Sequence, residues 1–490
     1  MKNFKKNIAL LSALALAGTM LAGCGDTTTT DDSSSDASAD TTAAADASAD
    51  DSSSDDTAAS SDDSSSASID TSADTGKVLR IAAWNEEFKG LFETYYAGTA
   101  PIGDTGEYYA DAPGLPDGVT YEFVITANEG NAYQDKLDQD LQNQASAEGD
   151  DLLDMFLFEA DYALKYVNTD YTLDVKSIGL TDSDLSDMYQ YTKDICTDES
   201  GALKGVSWQA TPGLFAYRRS IAQAVLGSDD PDTVQAAVCD WDTFNETAAK
   251  VKEAGYYMLS GYDDAYRTFS NNVSAPWVDE NKTIVIDDNL MAWVDQTKEF
   301  TDNGYNQGSS LWDDAWAQGQ SASGQVFGYF YSTWGVNFTL KGNAGDDGFG
   351  DWGVCEGPQS YYWGGSWLAA CAGTDNANLV ADIMKFMTCN ADTMTAITEN
   401  TEDYTNNQTA MNALANSDYS SDFLGGQNHI ALFAEAAPKI DMSNISAYDQ
   451  GLNEAFQAAF KDYFTGAVDK DTALENFYTA ALEKYPGLSR

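Results

Sequence analysis

Three short apolar runs, each followed by a stretch with helical spacing, constrain the fold of this chain most. VLRIAAW (78–84) suits a buried strand, and in the following NEEFKGLFETYY the residues Phe88, Leu91, Phe92 and Tyr95 recur at helical spacing. A Gly-, Pro- and Asp-rich loop over 97–118 leads to a second strand, VTYEFVIT (119–126). A polar helix over 133–147 and a third run, LLDMFLF (152–158), come next. This alternation predicts an α/β fold, a parallel sheet flanked by helices. The same grammar continues with a hairpin in ESGALKGVSW and then the stretch PGLFAYRRSIAQAVLG. In CDWDTFNETAAKVKEAG, Asp240 can cap a helix whose Phe244, Ala248 and Val251 share a face and whose end is marked by Gly255. ANLVADIMKFMT, AFQAAFKDYF and ALENFYTAALEKY read as amphipathic helices.

The first residues do not belong to this body. Lys2, Lys5 and Lys6 precede an apolar run over 8–21 and a small-residue site, the pattern of a secretory signal over 1–23. The run falls short of the ~20 residues that span a bilayer as a helix. Leu21, Ala22, Gly23 and Cys24 resemble a bacterial lipobox, which makes Cys24 the expected lipidation site and a lipid the expected anchor. An ordinary secretory signal ending near a Cys is the alternative. Over 26–76 the chain is almost entirely Asp, Ser, Thr and Ala, with Ile69 its one large apolar residue. Such a composition buries too little surface to offset chain entropy, so 24–76 is expected to be a disordered tether with a span on the order of 40 Å.

Charge excludes several function classes. The 25 basic residues face 79 acidic ones, a net of −54, so nucleic acid and anionic lipid are poor partners. No D-x-[DN]-x-[DN]-G calcium loop occurs, and no metal site is expected. After Cys24, the cysteines are Cys196, Cys239, Cys355, Cys371 and Cys389, an odd set without a C-x-x-C pair. They read mostly as small buried apolar residues, with one disulfide left open. Neither a G-x-G-x-x-G nor a P-loop stands between strand and helix, and no cofactor is expected.

Several segments taken in order carry a family resemblance. The lipobox and tether, LRIAAWNEEFKGLFETYY, PGLFAYRR, WDTFNETAAKVKEAG, GGSWLAACAGTDNANLVADIMKFMT and GGQNHIALFAEAAP together resemble the family 1 extracellular solute-binding proteins. These are the maltose-binding-protein-like lipoproteins of carbohydrate ABC importers. The resemblance spans 77–490 and rests on order and spacing, since no single motif is a strong signature. It implies a two-lobe periplasmic-binding-protein-like fold of type II, with a hinge and an interlobe ligand cleft. Lobe one would comprise 77–210 and 362–424, and lobe two 211–361 and 425–490. It further implies a monomeric, lipid-anchored receptor outside the cytoplasmic membrane, which captures a sugar, favoured as an oligosaccharide, and delivers it to permease subunits without catalysis.

A sugar presents an apolar face and a rim of hydroxyls, so its site wants flat aromatics for stacking and planar amides or carboxylates at the edge. Ligands of open α/β sheets bind beyond the carboxyl ends of strands. That rule selects Trp84, Asn85 and Glu86 after the first strand, Glu159 and Asp161 after the third, and Trp208 with Gln209 before the chain crosses between lobes. In the second lobe, Arg267, near Asp263 and Asp264, and Trp277 are candidates. Trp312 and Trp316, at i, i+4, are expected to pack onto the lobe. Tyr331 and Trp334 gain weight from the resemblance, because the family often presents an aromatic there. In YYWGGSWLAAC (361–371), Trp363 and Trp367 are the leading stacking platforms, Tyr361 and Tyr362 are even between core and cleft, and Gly364 and Gly365 let backbone approach a ligand. The competing reading is core packing for each Trp, a solvated charge for each acid and an ion pair for Arg267. His429 is the one histidine, in a helix-like stretch without a nucleophile elbow, which disfavours a hydrolytic triad. A glycoside hydrolase, which needs two carboxylates, and an adhesive lipoprotein are the alternatives carried forward.

Overall fold

The computed structural model describes residues 69–490; the signal, Cys24 and the tract up to residue 68 lie outside the described residues. Along the chain the strands are β1 (Val78–Ala83), β2 (Thr120–Ile125), β3 (Met155–Glu159), β4 (Val206–Ser207) and β5 (Gly213–Arg218). They continue with β6 (Leu259–Gly261), β7 (Asn306–Ser309), β8 (Gly328–Ser332), β9 (Trp352–Cys355) and β10 (Ser366–Ala370). One sheet has the order β2-β1-β3-β10-β4, a second has the order β8-β5-β9, and β6 pairs with β7.

The predicted parallel core is present: β1 runs parallel to β2 and to β3. One strand departs from it. β10 lies antiparallel to β3, with Ser366 opposite Glu159 and Ala370 opposite Met155, because the chain re-enters this sheet from the carboxyl edge of β3. β4 pairs antiparallel with β10 on its other side. The ends of β1, β3 and β4 and the start of β10 therefore share one sheet edge. Leu79, Ile81, Phe156, Leu157 and Leu368 are buried to 1 % exposure or less, as strands covered on both faces require.

The two crossings between the sheets run side by side. Gly213 N–H donates to the Tyr361 carbonyl (2.7 Å) and Trp363 N–H to the Thr211 carbonyl (3.2 Å). Thr211 sits at φ 50°, a sparsely populated region for a β-branched residue, in the middle of the first crossing. In the second sheet Gly213 is opposite Ser332, which sets the end of β8 beside the first crossing. Helices cover the flanks. Asp240 caps Trp241–Glu253 by accepting from Thr243 N–H at 2.7 Å, and Phe244, Ala248 and Val251 face inward. At the C-terminus Asp449–Phe464 packs on Lys470–Lys484, with Phe456, Phe460 and Phe477 in the shared core.

The expected tether ends earlier than its composition suggests. Ile69 packs on the core and its N–H donates to Asp382 (2.8 Å), and Asp74 accepts from the N–H groups of Asn378 (3.1 Å) and Leu379 (2.8 Å). The carboxylate thus satisfies orphan donors at the start of the helix Ala377–Cys389. The five cysteines in the described residues are unpaired: Cys196, Cys355 and Cys371 are buried, whereas Cys239 is exposed.

Candidate ligand-binding cleft

Two chambers open along the shared edge of the sheets. The first, about 250 Å³, is lined by Trp84, Asn85, Glu87, Glu159, Gln209, Trp312, Trp334, Phe338, Trp363, Gly364, Gly365 and Ser366. The second, about 380 Å³, shares Glu87, Trp334 and Phe338 with it and extends over Tyr95, Trp208, Asn337, Asn400 and Asp403. The shared residues make these one continuous cleft. Phe338, in the helical turn after Trp334, projects between the chambers with 74 % of its surface exposed.

Each wall follows from the local fold. β1 ends at Ala83, which delivers Trp84 and Asn85 to the edge, and the Asn85 side chain accepts from Glu87 N–H (3.1 Å). Trp84 stands edge-on to Tyr133 at 5.6 Å. Trp334 follows β8 and donates its indole N–H to the Trp363 carbonyl (2.9 Å), so the second crossing and the second sheet hold each other in register. Gly364 and Gly365 adopt φ 72° and 104°, and a Cβ on Gly364 would come within 3.0 Å of the Trp334 indole nitrogen. Glycine is what the turn and the close approach require.

At the cleft's base a single amide joins three elements. The Gln209 side-chain oxygen accepts from Ser366 N–H (3.1 Å), which turns its NH₂ toward Glu87 (2.9 Å) and Asp403 (2.8 Å). A backbone donor fixes the amide orientation, so the two protons of one nitrogen serve two carboxylates. Burial and the Asp403 charge push Glu87 up to about 8. Burial and Asp161 likewise push Glu159 up to about 8, against the pull of Arg267. Both groups hold protons near neutral pH and can donate as well as accept.

The sequence-selected residues divide into three groups. Trp84, Asn85, Glu159, Trp334 and Trp363 line the first chamber and Trp208 the second, where it stacks on Phe88 at 5.0 Å. Asp161 and Arg267 form a two-pronged ion pair beside a separate, smaller cavity of about 40 Å³ that also contains Tyr362 and Asp449. Glu86, Trp277, Tyr331 and Trp367 do not line the cleft. Glu86 is exposed and pairs with Lys89 (2.7 Å). Trp277 is buried against Phe456 and Phe477 and donates to Asn453 (3.0 Å). Tyr331 lies under Trp363 with its hydroxyl on Gln320 (2.9 Å). Trp367, 1 % exposed, stacks on Phe158 and donates to the Thr192 carbonyl (3.0 Å), because the inward alternation of β10 turns it into the sheet core. Tyr361 is likewise core, with its hydroxyl on the carbonyls of Leu214 and Tyr331.

Sequence reasoning missed Glu87, Trp312, Phe338 and Asp403. Trp312 does not follow the helical phase of Trp316. It sits at φ 70°, ahead of the helix Asp314–Gly319, and turns into the cleft with 44 % of its surface exposed. Trp316 packs inward as expected, donating to Asp264 (3.0 Å). His429 is fully buried, with one ring nitrogen on the Glu402 carbonyl (2.8 Å), so the triad reading has no exposed base.

A family profile described as "Bacterial extracellular solute-binding protein" matches residues 109–424. The chain belongs to that family. This solute-binding protein has the two-lobe, periplasmic-binding-protein-like α/β fold that the resemblance implied. A crystal structure titled as an extracellular solute-binding protein family 1 aligns with a TM-score of 0.65 at 16% identity, over 82% of this chain and 99% of that one. An ABC transporter associated binding protein from B. animalis subsp. lactis Bl-04, in complex with β-1,6-galactobiose, aligns with a TM-score of 0.62 at 17% identity, over 85% and 99%. The galacto-N-biose-/lacto-N-biose I-binding protein of Bifidobacterium longum, in complex with lacto-N-biose, gives 0.61 at 13% identity, over 86% and 100%. No curated protein matches the chain in sequence.

Proposed function

We propose that this solute-binding protein captures a carbohydrate, an oligosaccharide in preference to a monosaccharide, in the cleft between its lobes. One observation carries the reading: aromatic platforms from the first sheet (Trp84), the second crossing (Trp363) and the second-sheet side (Trp312, Trp334) surround one cleft that is floored by amide and carboxylate groups. Stacking faces and directional polar edges are what a pyranose requires. The volumes of the two adjoining chambers, about 250 and about 380 Å³, suit more than one ring. The disaccharides named for two solved structures of the same fold support the same class.

The protein acts by binding and not by hydrolysis. Ligand contacts made with both lobes at once favour the closed arrangement, and the closed form is what permease subunits recognise. Cys24 carries the lipid that holds the chain outside the cytoplasmic membrane as a monomer. Calorimetry across mono- and oligosaccharides, with chromatography of the same mixtures, tests this. Saturable binding without new products is expected. Released sugars would establish a glycosidase, and no binding to any saccharide would reject the carbohydrate class. Metabolic labelling with a fatty acid, lost in Cys24→Ala, tests the anchor.

A further inference from the structure

The charge of the cleft is as one-sided as its shape. Glu87, Glu159 and Asp403 line the two chambers, and no Lys, Arg or His does so among the described residues. Arg267, whose charge acts on Glu159, is engaged with Asp161 and lines the separate cavity. Glu87 and Asp403 are held close by a single amide nitrogen, an arrangement in which like charges repel and a cation placed between them would be stabilised. Trp84, Trp312, Trp334, Trp363 and Phe338 supply π-faces in the same space, and such faces attract an ammonium group. Trp208, in the wall of the second chamber, keeps a buried indole N–H without an acceptor in the protein. The net charge of −54 raises the local concentration of cations and repels anions.

We propose that the cleft selects a saccharide bearing a protonated amine, an unacetylated amino-sugar oligomer, over neutral and anionic saccharides. The inference rests on the carbohydrate reading above. Neutral sugars can use the same stacking faces, but only an ammonium group uses the uncompensated carboxylates. Acidic sugars would bring a negative charge beside Glu87 and Asp403, a pair that already disfavours carrying two. An entering ammonium also favours the ionised carboxylates, so its binding releases protons, whereas binding of a neutral sugar does not.

Calorimetry on the full chain at about pH 7 tests this with gluco- and galacto-configured amino-sugar dimers and trimers, their N-acetylated forms, uronate dimers and spermidine. The amine-bearing forms are expected to bind about tenfold tighter than their acetylated partners, with heats that differ between buffers of different ionisation enthalpy. Asp403→Asn, which keeps an acceptor for Gln209, should reduce that ratio to about threefold or less, with both affinities measured on the same variant. Equal binding of amine and acetylated forms, or tight uronate binding, overturns the proposal and leaves the carbohydrate reading standing. Binding of spermidine and of no saccharide rejects both. The ratio in the unaltered protein decides the matter even if the variant folds poorly.

Discussion

Trp312→Gly separates a cleft platform from a core residue. Trp312 leaves 44 % of its surface exposed. For a side chain of about 250 Å² this is roughly 110 Å² facing the cleft. A sugar ring covering half of that, at about 25 cal/mol/Å², gains about 1.4 kcal/mol, or tenfold in Kd. On the stability side, relief of backbone strain offsets part of what an ordinary Trp deletion costs. The backbone at φ 70° costs a bulky residue about 1–2 kcal/mol, and glycine removes that cost. Against this stands the packing of a half-exposed ring on Trp316, Trp363 and Trp334, whose centroids lie 5.1, 6.1 and 6.3 Å away. The roughly 140 Å² that the ring buries is worth about 3.5 kcal/mol, so after the relieved strain unfolding free energy is expected to fall by about 1.5–2.5 kcal/mol while Kd for the tightest saccharide rises about tenfold. Calorimetry and urea unfolding measure the two. A loss of several kcal/mol in stability with Kd unchanged would show that Trp312 supports the lobe and does not serve a ligand.

Trp367→Ala should behave oppositely, costing about 3–5 kcal/mol in chemical unfolding because its ring and indole N–H are fully engaged in the sheet core; a stable variant with weakened binding would reverse that assignment. Trp363→Ala should lower both affinity and stability, since the ring lines the cleft but is 8 % exposed and packs on Trp334 and Tyr331. Arg267→Ala leaves Asp161 without its partner and should cost about 3–5 kcal/mol and enlarge the radius of gyration in X-ray scattering; an unchanged scattering profile would mean the pair does not restrain the lobes. Glu87 is pushed from its ordinary 4.5 up to about 8 by burial and by Asp403, so the fold favours its protonated form. Its contribution is fully present below the unfolded value and is lost as pH rises toward about 8. Glu87→Gln should flatten the fall in Tm over that window, and parallel curves for variant and parent would contradict the role given to burial.

The fold was legible where the apolar period is strong and the partners are local. β1, β2 and β3 and the helix capped by Asp240 lie within a few residues of where their patterns put them. The direction of β10 was not legible. SWLAA reads as a strand in either orientation, and only its entry from the cleft edge makes it antiparallel to β3. The end of the tether was hidden for a related reason. Asp74 looks like every other acid in an Asp-rich tract until the helix Ala377–Cys389, some three hundred residues later, brings its N–H groups to it.

The cleft was half legible, and the missed half follows a rule about phase. Residues chosen at strand ends, such as Trp84, Asn85 and Glu159, line the cleft because a strand fixes where the chain leaves the sheet. Choices that depended on which side a ring faces failed when the element's phase was unknown. Trp363 and Trp367 are four apart, yet two glycines at positive φ separate them, so one belongs to the turn and the other to the inward face of β10. Trp312 and Trp316 are also four apart, and the helix begins between them. Glu87 and Asp403 carry no sequence signal, because what distinguishes them from 77 other acids is a shared amide, and that sharing exists only once Gln209 has been oriented by Ser366 on the returning strand. In this chain the returning crossing both adds an interior strand to the sheet and fixes the polar floor of the cleft, because the N–H that orients Gln209 belongs to the backbone of β10 at Ser366.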